Sequence, residues 1–233
     1  MDKHLREFQV TQYFLAGSEF VKQSLIDSSA AEESIYILPY GANVSSAIER
    51  RPKTDGDRLH VLFVGQVTYR KGITTLIDAI SQLPADKVDL TVVGAFNKNA
   101  WFVEEGRKHS NITFTGHVTI DQMQAIYEKV DVFVIDSFAE GMAQVGIEAM
   151  ACGLPIICSF NSGLSEAVRD GESGYVIPCG DVPALRDKLQ WFIDHPERIR
   201  AMGNAARETA QDYTWERYEE NAAKIISSII ADK

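Results

Sequence analysis

From Arg58 onward the apolar positions follow two alternating periods. Short β-branched runs, "HVLFVG", "VDLTVVG", "NITFTG", "DVFVID", "LPIICS" and "GYVIP", are separated by segments with apolar residues every three or four positions, as in "GITTLIDAISQL" and "TIDQMQAIYEKV". A helical pattern through Cys152 and the segment "GLSEAV" continue the series, and a polar stretch through Lys108 interrupts it. Strands alternating with helices require right-handed crossovers, which make the strands parallel and cover both faces of the sheet. The expected fold is therefore α/β, a doubly wound parallel sheet over residues 59–212. Three helical patterns close the chain. "DVPALRDKLQWFIDH" carries Val182, Leu185, Leu189 and Phe192 on one stripe, "PERIRAMGNAARETAQ" opens at Pro196, and "TWERYEENAAKIISSIIAD" runs from Thr214.

The first forty residues stand outside this alternation. "QYFLAGSEFVKQSLID" reads as strand, loop and helix, and "SIYILPYG" as a further short strand. A strand and a helix bury no core alone, so residues 1–42 are expected to be the remnant of a preceding Rossmann-like domain. Residues 43–58, "NVSSAIERRPKTDGDR", are polar and aperiodic, as an interdomain linker is. The last helix, residues 213–233, is expected to pack back toward the preceding domain.

Composition narrows the functional classes. In 233 residues, 45% are apolar, enough for one sizeable core, and the formal net charge is −10. An acidic chain of this kind disfavours a nucleic-acid surface or a polybasic membrane anchor, so any anionic ligand must be held locally. Cys152, Cys158 and Cys179 are odd in number, lack metal-ligand spacing and lie in or beside apolar segments. Reduced packing cysteines of this sort point to a cytoplasmic location. No apolar run approaches the roughly 18 residues of a membrane span, and the start "MDKHLREF" has no signal-peptide core. The sequons at Asn43 and Asn111 then read as chance matches.

In a doubly wound sheet ligands sit outside the carboxyl ends of the strands, so the strand-to-helix junctions are the places to look. One junction, "VGQVTYRKG", puts Lys71 beside the start of a helix, an arrangement suited to an anion and equally to a solvated basic turn. A second, after "DVFVID", runs through Glu140, Gly141, Met142 and Ala143 into a helix. Gly141 permits close backbone approach, and the first amides of a helix favour negative charge or sugar hydroxyls. Gln144 and Glu148, four residues apart, share a helix face that points to the same sheet end as Glu140. Vicinal hydroxyls match the two oxygens of a carboxylate, so these acids suit a ribose or hexose; a surface turn and an ordinary ion pair are the plainer alternatives.

The spacing of Glu140 and Glu148 within "AEGMAQVGIEAMACGLPII" resembles the signature of retaining glycosyltransferases of the GT-B fold, family 4, whose usual form is EGFG followed by LEAMA and GLPVI. "FLAGSEFVKQSLID", "IYILPYGANV", "FVGQVTYRKG", "ITFTGHV", "GLSEAVRDGESGYVIPCGD" and "TWERY" resemble the same family in the same order. The resemblance implies that the chain is the donor-binding half of such an enzyme. It implies that Lys71 contacts the diphosphate of a nucleotide sugar, Glu148 the ribose, and Glu140 the transferred sugar, with the backbone of Gly141, Met142 and Ala143 nearby. Gly116, His117 and Val118 would lie against the base. Lys71 and Glu140 are the implied catalytic pair, and no metal or other cofactor is required. The implied partners are the nucleotide sugar and an acceptor-binding N-terminal domain, and any contact with the cytoplasmic face of a membrane would run through that domain.

Two departures from the family pattern stand out. Gln66 replaces an arginine common after "VG", which leaves the diphosphate site one cation short unless Arg70 turns inward. "EGMA" replaces EGFG, so Met142 and Ala143 bring side chains to a turn where an aromatic residue and a glycine are usual. "DGD" at Asp55–Asp57 matches a metal-binding pattern but follows no apolar strand, and it reads as a solvated turn. His117 reads more simply as an exposed turn residue. G-x-G-x-x-G is absent, which disfavours a dinucleotide cofactor. The expected function is transfer of a sugar from a nucleoside diphosphate donor with retention, weak or lacking in the isolated chain. The alternatives are a GT-B epimerase or phosphorylase, or a non-catalytic module that binds a nucleotide sugar or a partner.

Overall fold

The computed structural model describes residue 8 and residues 10–43, 53–54 and 56–231. Most of the expected linker, residues 44–52 and 55, lies outside the described residues. Six strands form one sheet: β3 (Leu59–Val64), β4 (Val88–Val93), β5 (Ile112–Gly116), β6 (Val132–Ile135), β7 (Ile156–Ser159) and β8 (Gly174–Ile177). All neighbours are parallel, in the order β5-β4-β3-β6-β7-β8. The order reverses between β3 and β6, the switch point at which a doubly wound sheet opens a crevice.

Alternation along the strands divides the core between the two sheet faces. Val61, Phe63, Val132 and Val134 face one side, with Ile73, Leu76 and Ile80 of α2 (Ile73–Ser81), Val103 of α3 (Trp101–Gly106) and Leu185, Leu189 and Phe192 of α6 (Val182–Asp194). Leu62, Phe133 and Ile135 face the other, with Tyr127 of α4 (Ile120–Tyr127), Ile147 and Met150 of α5 (Gln144–Ala151) and Ala206 and Ala210 of α7 (Arg198–Ala210). Each large side chain among these contributes about 1.5–3 kcal/mol through burial. Of the expected stripe, Leu185, Leu189 and Phe192 are wholly buried and Val182 is half-buried against the same core. Helix α3 falls within the stretch read as polar; its six residues are too few for periodicity, and only Val103 and Gly106 are buried.

Residues 10–43 form a small unit of their own. β1 (Phe14–Ala16) and β2 (Ile35–Ile37) pair in parallel, with α1 (Glu19–Asp27) between them in sequence. This unit is fastened to the larger sheet by polar contacts. Ser18 is buried; its hydroxyl donates to the Gly141 carbonyl at 2.6 Å and accepts from the Val21 amide at 3.3 Å. Glu166 accepts from the Glu19 and Phe20 amides at 2.7 and 3.3 Å, so two side chains cap the first turn of α1. The Ala42 amide donates to the Tyr213 carbonyl at 2.9 Å, just before α8 (Trp215–Ala231). Helix α8 has no buried residue, and Ile226 and Ile230 are exposed.

Candidate functional site

The carboxyl ends of β3 and β6 bring Lys71 and Glu140 together across 69 positions of sequence. After β3 the chain makes a short 3₁₀ turn, Tyr69–Lys71, and enters α2 through Gly72, whose φ of +73° is left-handed. A Cβ at Gly72 would lie 1.9 Å from the Asp136 carbonyl oxygen, so glycine is what lets this turn press against the end of β6. The Phe138 amide then donates to the Arg70 carbonyl at 2.8 Å, and the Arg70 guanidinium donates to the Ala139 carbonyl at 2.6 Å. Tyr69 stacks on Phe138 with ring centroids 4.9 Å apart. These contacts carry Glu140 to the Lys71 ammonium, with which it forms a hydrogen-bonded ion pair.

The pair is largely screened from water, the Lys71 and Glu140 side chains being 14% and 16% exposed. Burial, and then the neighbouring Arg70 guanidinium, pull the Lys71 ammonium down to about 8. The Glu140 carboxylate in contact acts in the opposite sense, so the ammonium is retained at neutral pH. Arg70 stays at the surface, its side chain 54% exposed, with Nη1 3.5 Å from Glu140 Oε2. Two cations therefore converge on one carboxylate, and Lys71 has donors left for a second anion.

The turn after Glu140 is set by backbone pairing with residues 161–163. The Glu140 amide donates to the Asn161 carbonyl at 3.1 Å, and the Gly163 amide donates to the Glu140 carbonyl at 3.0 Å. Asn161 also donates from its side chain to the Phe138 carbonyl at 3.0 Å. At Gly141 a Cβ would point to Val21 of α1, 3.3 Å away. Met142 and Ala143 are buried in the core face of α5, so the side chains that replace the usual aromatic and glycine residues are absorbed by packing. Gln144 donates to the Gly41 carbonyl at 3.1 Å, which ties the start of α5 to the N-terminal unit. Glu148, one turn further, is half-buried beside Tyr127; burial raises its carboxyl, and a hydrogen bond with Tyr127 acts against that rise.

A cavity of about 480 Å³ opens over the ends of β3, β4 and β5, at the same carboxyl edge of the sheet. Gln66, His117 and Val118 line it, with Val64, Val93, Ile120 and Met123 supplying apolar wall. Gly116 ends β5 with φ +79° and directs the chain around the rim. The expected site residues thus fall into two groups: a charged corner of Arg70, Lys71 and Glu140, and a mostly apolar hollow containing Gln66, His117 and Val118. Glu148 and Gln144 stand on α5 behind the corner.

Several residues that shape the site went unsingled in the sequence. Asp136, Asn161, Ser18, Glu166 and Tyr127 all hold its loops. Only Ser18 carried a readable signal, as a serine directly before a helical pattern. Of the "DGD" acids, Asp55 lies outside the described residues, and Asp57 accepts from the Thr54 amide at 3.1 Å within a turn. Among the described residues no cluster of three or more metal-ligating side chains occurs, and no helix is long and apolar enough to cross a membrane.

Comparison with known proteins places this geometry in a family. Over 173 residues the chain is 31% identical to glycogen synthase of Mycobacterium tuberculosis, covering 72% of this chain and 41% of that protein. Sucrose-phosphate synthase of Thermosynechococcus elongatus superposes with a TM-score of 0.81 at 26% identity, over 98% of this chain and 62% of that one. Anabaena HepE, solved with UDP and glucose, shares the fold with a TM-score of 0.79 at 20% identity, over 95% and 65%. The chain thus spans about two fifths of the glycogen synthase and under two thirds of the sucrose-phosphate synthase. The family described as glycosyl transferases group 1 matches residues 45–209, which contain the β3 and β6 junctions and α5. This chain belongs to that family, with the Rossmann-like sheet of a GT-B glycosyltransferase.

Proposed function

We propose that the chain is the donor-binding half of a glycosyltransferase that uses a nucleoside diphosphate sugar and transfers the sugar with retention of configuration. The observation that carries this reading is the Lys71–Glu140 contact at the switch point, on the sheet edge that also bears an apolar hollow and is followed by a half-buried acid on α5. A base fits the hollow lined by His117 and Val118. The diphosphate meets Lys71 and the first amides of α5, the ribose meets Glu148, and the sugar meets Glu140. Departure of the nucleoside diphosphate builds negative charge on its β-phosphate, so an ammonium fixed there stabilises the transition state more than the ground state. The site requires no metal for this. In a two-domain GT-B enzyme the acceptor sits on the other domain, so residues 10–43 and α8 are assigned to that side of the cleft, and transfer by this chain alone is slow or absent.

Calorimetric titration with UDP and GDP sugars tests the reading. Glu148→Gln removes a charged acceptor from the ribose and should weaken binding about 10- to 150-fold, the equivalent of 1.5–3 kcal/mol. Glu140→Gln should leave free UDP or GDP binding nearly intact and lower the preference for the sugar-bearing form. Unchanged affinity in Glu148→Gln overturns the ribose assignment, and no binding of any nucleotide sugar by the native chain overturns the whole.

A further inference from the structure

Asp136, the residue that follows β6, is an acid the proposed chemistry leaves unused, yet three loops of the site meet on it. It is 2% exposed. Its carboxylate accepts from the Gly180 amide, at 3.0 Å to Oδ2 and 3.3 Å to Oδ1, and from the Thr75 hydroxyl in the first turn of α2. Its carbonyl oxygen is the atom that the turn at Gly72 presses against. Beyond it, the Ser137 carbonyl accepts from the Ser159 hydroxyl at 2.7 Å, and Phe138 bonds to Arg70. At Gly180 a Cβ would lie 3.2 Å from the Phe138 ring. One side chain therefore joins residues 178–181, the start of α2 and the strand end that leads to Glu140.

A buried carboxylate serving only as loop packing is expensive, because desolvation disfavours its charge. Burial above all holds the Asp136 carboxyl up at about 6; the Gly180 and Thr75 donors act against that rise, and Asp181 at the cap of α6 adds to it. Burial raises the thiols of Cys158 on β7 and Cys179 in the same loop, and the Asp136 charge adds to the rise of both, after that of Asp170 at Cys158. Both hydrogen-bond donors serve the ionised form, so protonation loosens the junction.

We propose that Asp136 is a positioning residue: its ionised carboxylate holds residues 178–181 and the first turn of α2 against the end of β6, and so fixes the Lys71–Glu140 contact. Its effect on donor affinity rests on the function proposed above; its effect on the geometry of the free protein does not.

Amide NMR of the full chain between pH 5 and 8 tests both parts. In the native protein the Gly180 and Phe138 amides should titrate together, with a midpoint near 6. Both should be flat in Asp136→Asn. Thr75→Val, which removes a donor to the carboxylate, should shift the shared midpoint upward, and it provides the comparison if the asparagine variant does not fold. UDP-glucose, used as the probe because its phosphates stay ionised over this range, should bind more weakly below the midpoint in the native chain. The acid-side weakening should be smaller in Asp136→Asn. If Gly180 titrates while Phe138 stays still, Asp136 is only a loop tie and the proposal fails. It also fails if both amides titrate unchanged in the asparagine variant. Should UDP-glucose and other nucleotide sugars not bind at any pH, the donor reading falls while the amide titrations still decide the positioning role.

Discussion

Alanine at Gly72 measures how tightly the Lys71 turn is pressed against β6. The substitution forces an L side chain into φ +73°, which costs about 1–2 kcal/mol. It also places a methyl group 1.9 Å from the Asp136 carbonyl oxygen, where no side chain can swing aside because the opposing atom is backbone. Relieving that overlap means moving the end of β6 or the start of α2, a distortion of the kind that costs about 1–3 kcal/mol. The expected total is about 2–5 kcal/mol. Gly116 supplies the control: its φ is +79°, but a Cβ there meets nothing within 4 Å, so Gly116→Ala should lose only the backbone share of about 1–2 kcal/mol. Urea denaturation of both variants with equal m values isolates the steric part as their difference. Equal losses, or a Gly72→Ala protein within about 0.5 kcal/mol of the native chain, would refute the claim that close approach fixes this junction.

Two further outcomes follow from the same contacts. Ser18→Ala removes the cap of α1 and leaves the Gly141 carbonyl without its hydroxyl donor, so it should destabilise the protein by about 2–4 kcal/mol in thermal or chemical denaturation, and a loss under 0.5 kcal/mol would contradict it. Burial and then Arg70 pull the Lys71 ammonium down to about 8, so its charge is present below that value and lost above it. Affinity for an anionic donor, measured by calorimetry at pH 7 and pH 9, should therefore fall as pH rises through 8, and Lys71→Met should abolish that step; a step that persists in the variant assigns it to another group.

The period of the apolar residues was enough to predict the doubly wound sheet and the buried stripe of α6, because burial on two faces leaves a strong periodic trace. Lys71 and Glu140 were also readable, since each sits where a strand pattern hands over to a helix. Their contact was not readable, because it depends on which strands are neighbours, and the β3–β6 pairing joins residues far apart in sequence. The direction of the Met142 and Ala143 side chains was not readable for a related reason: a local motif shows residue type but not direction, and both are buried in the core. Asp136 stands in a run of apolar residues and carries no periodic signal at all; only the arrival of Gly180 and Thr75 reveals its task. Helix α3 escaped notice because six residues make too little pattern to detect.

The placement of β3 and β6 side by side has a consequence for how the molecule is made. The chain between Lys71 and Glu140 carries β4, β5 and three helices, and β4 and β5 lie on one flank of β3 while β6 docks on the other. Closing so long a loop is entropically slow, and a slip of one position in β6 would turn Asp136 to the opposite face. The charged corner therefore rests on a long-range pairing, and a chain that displays it has brought β6 into register beside β3.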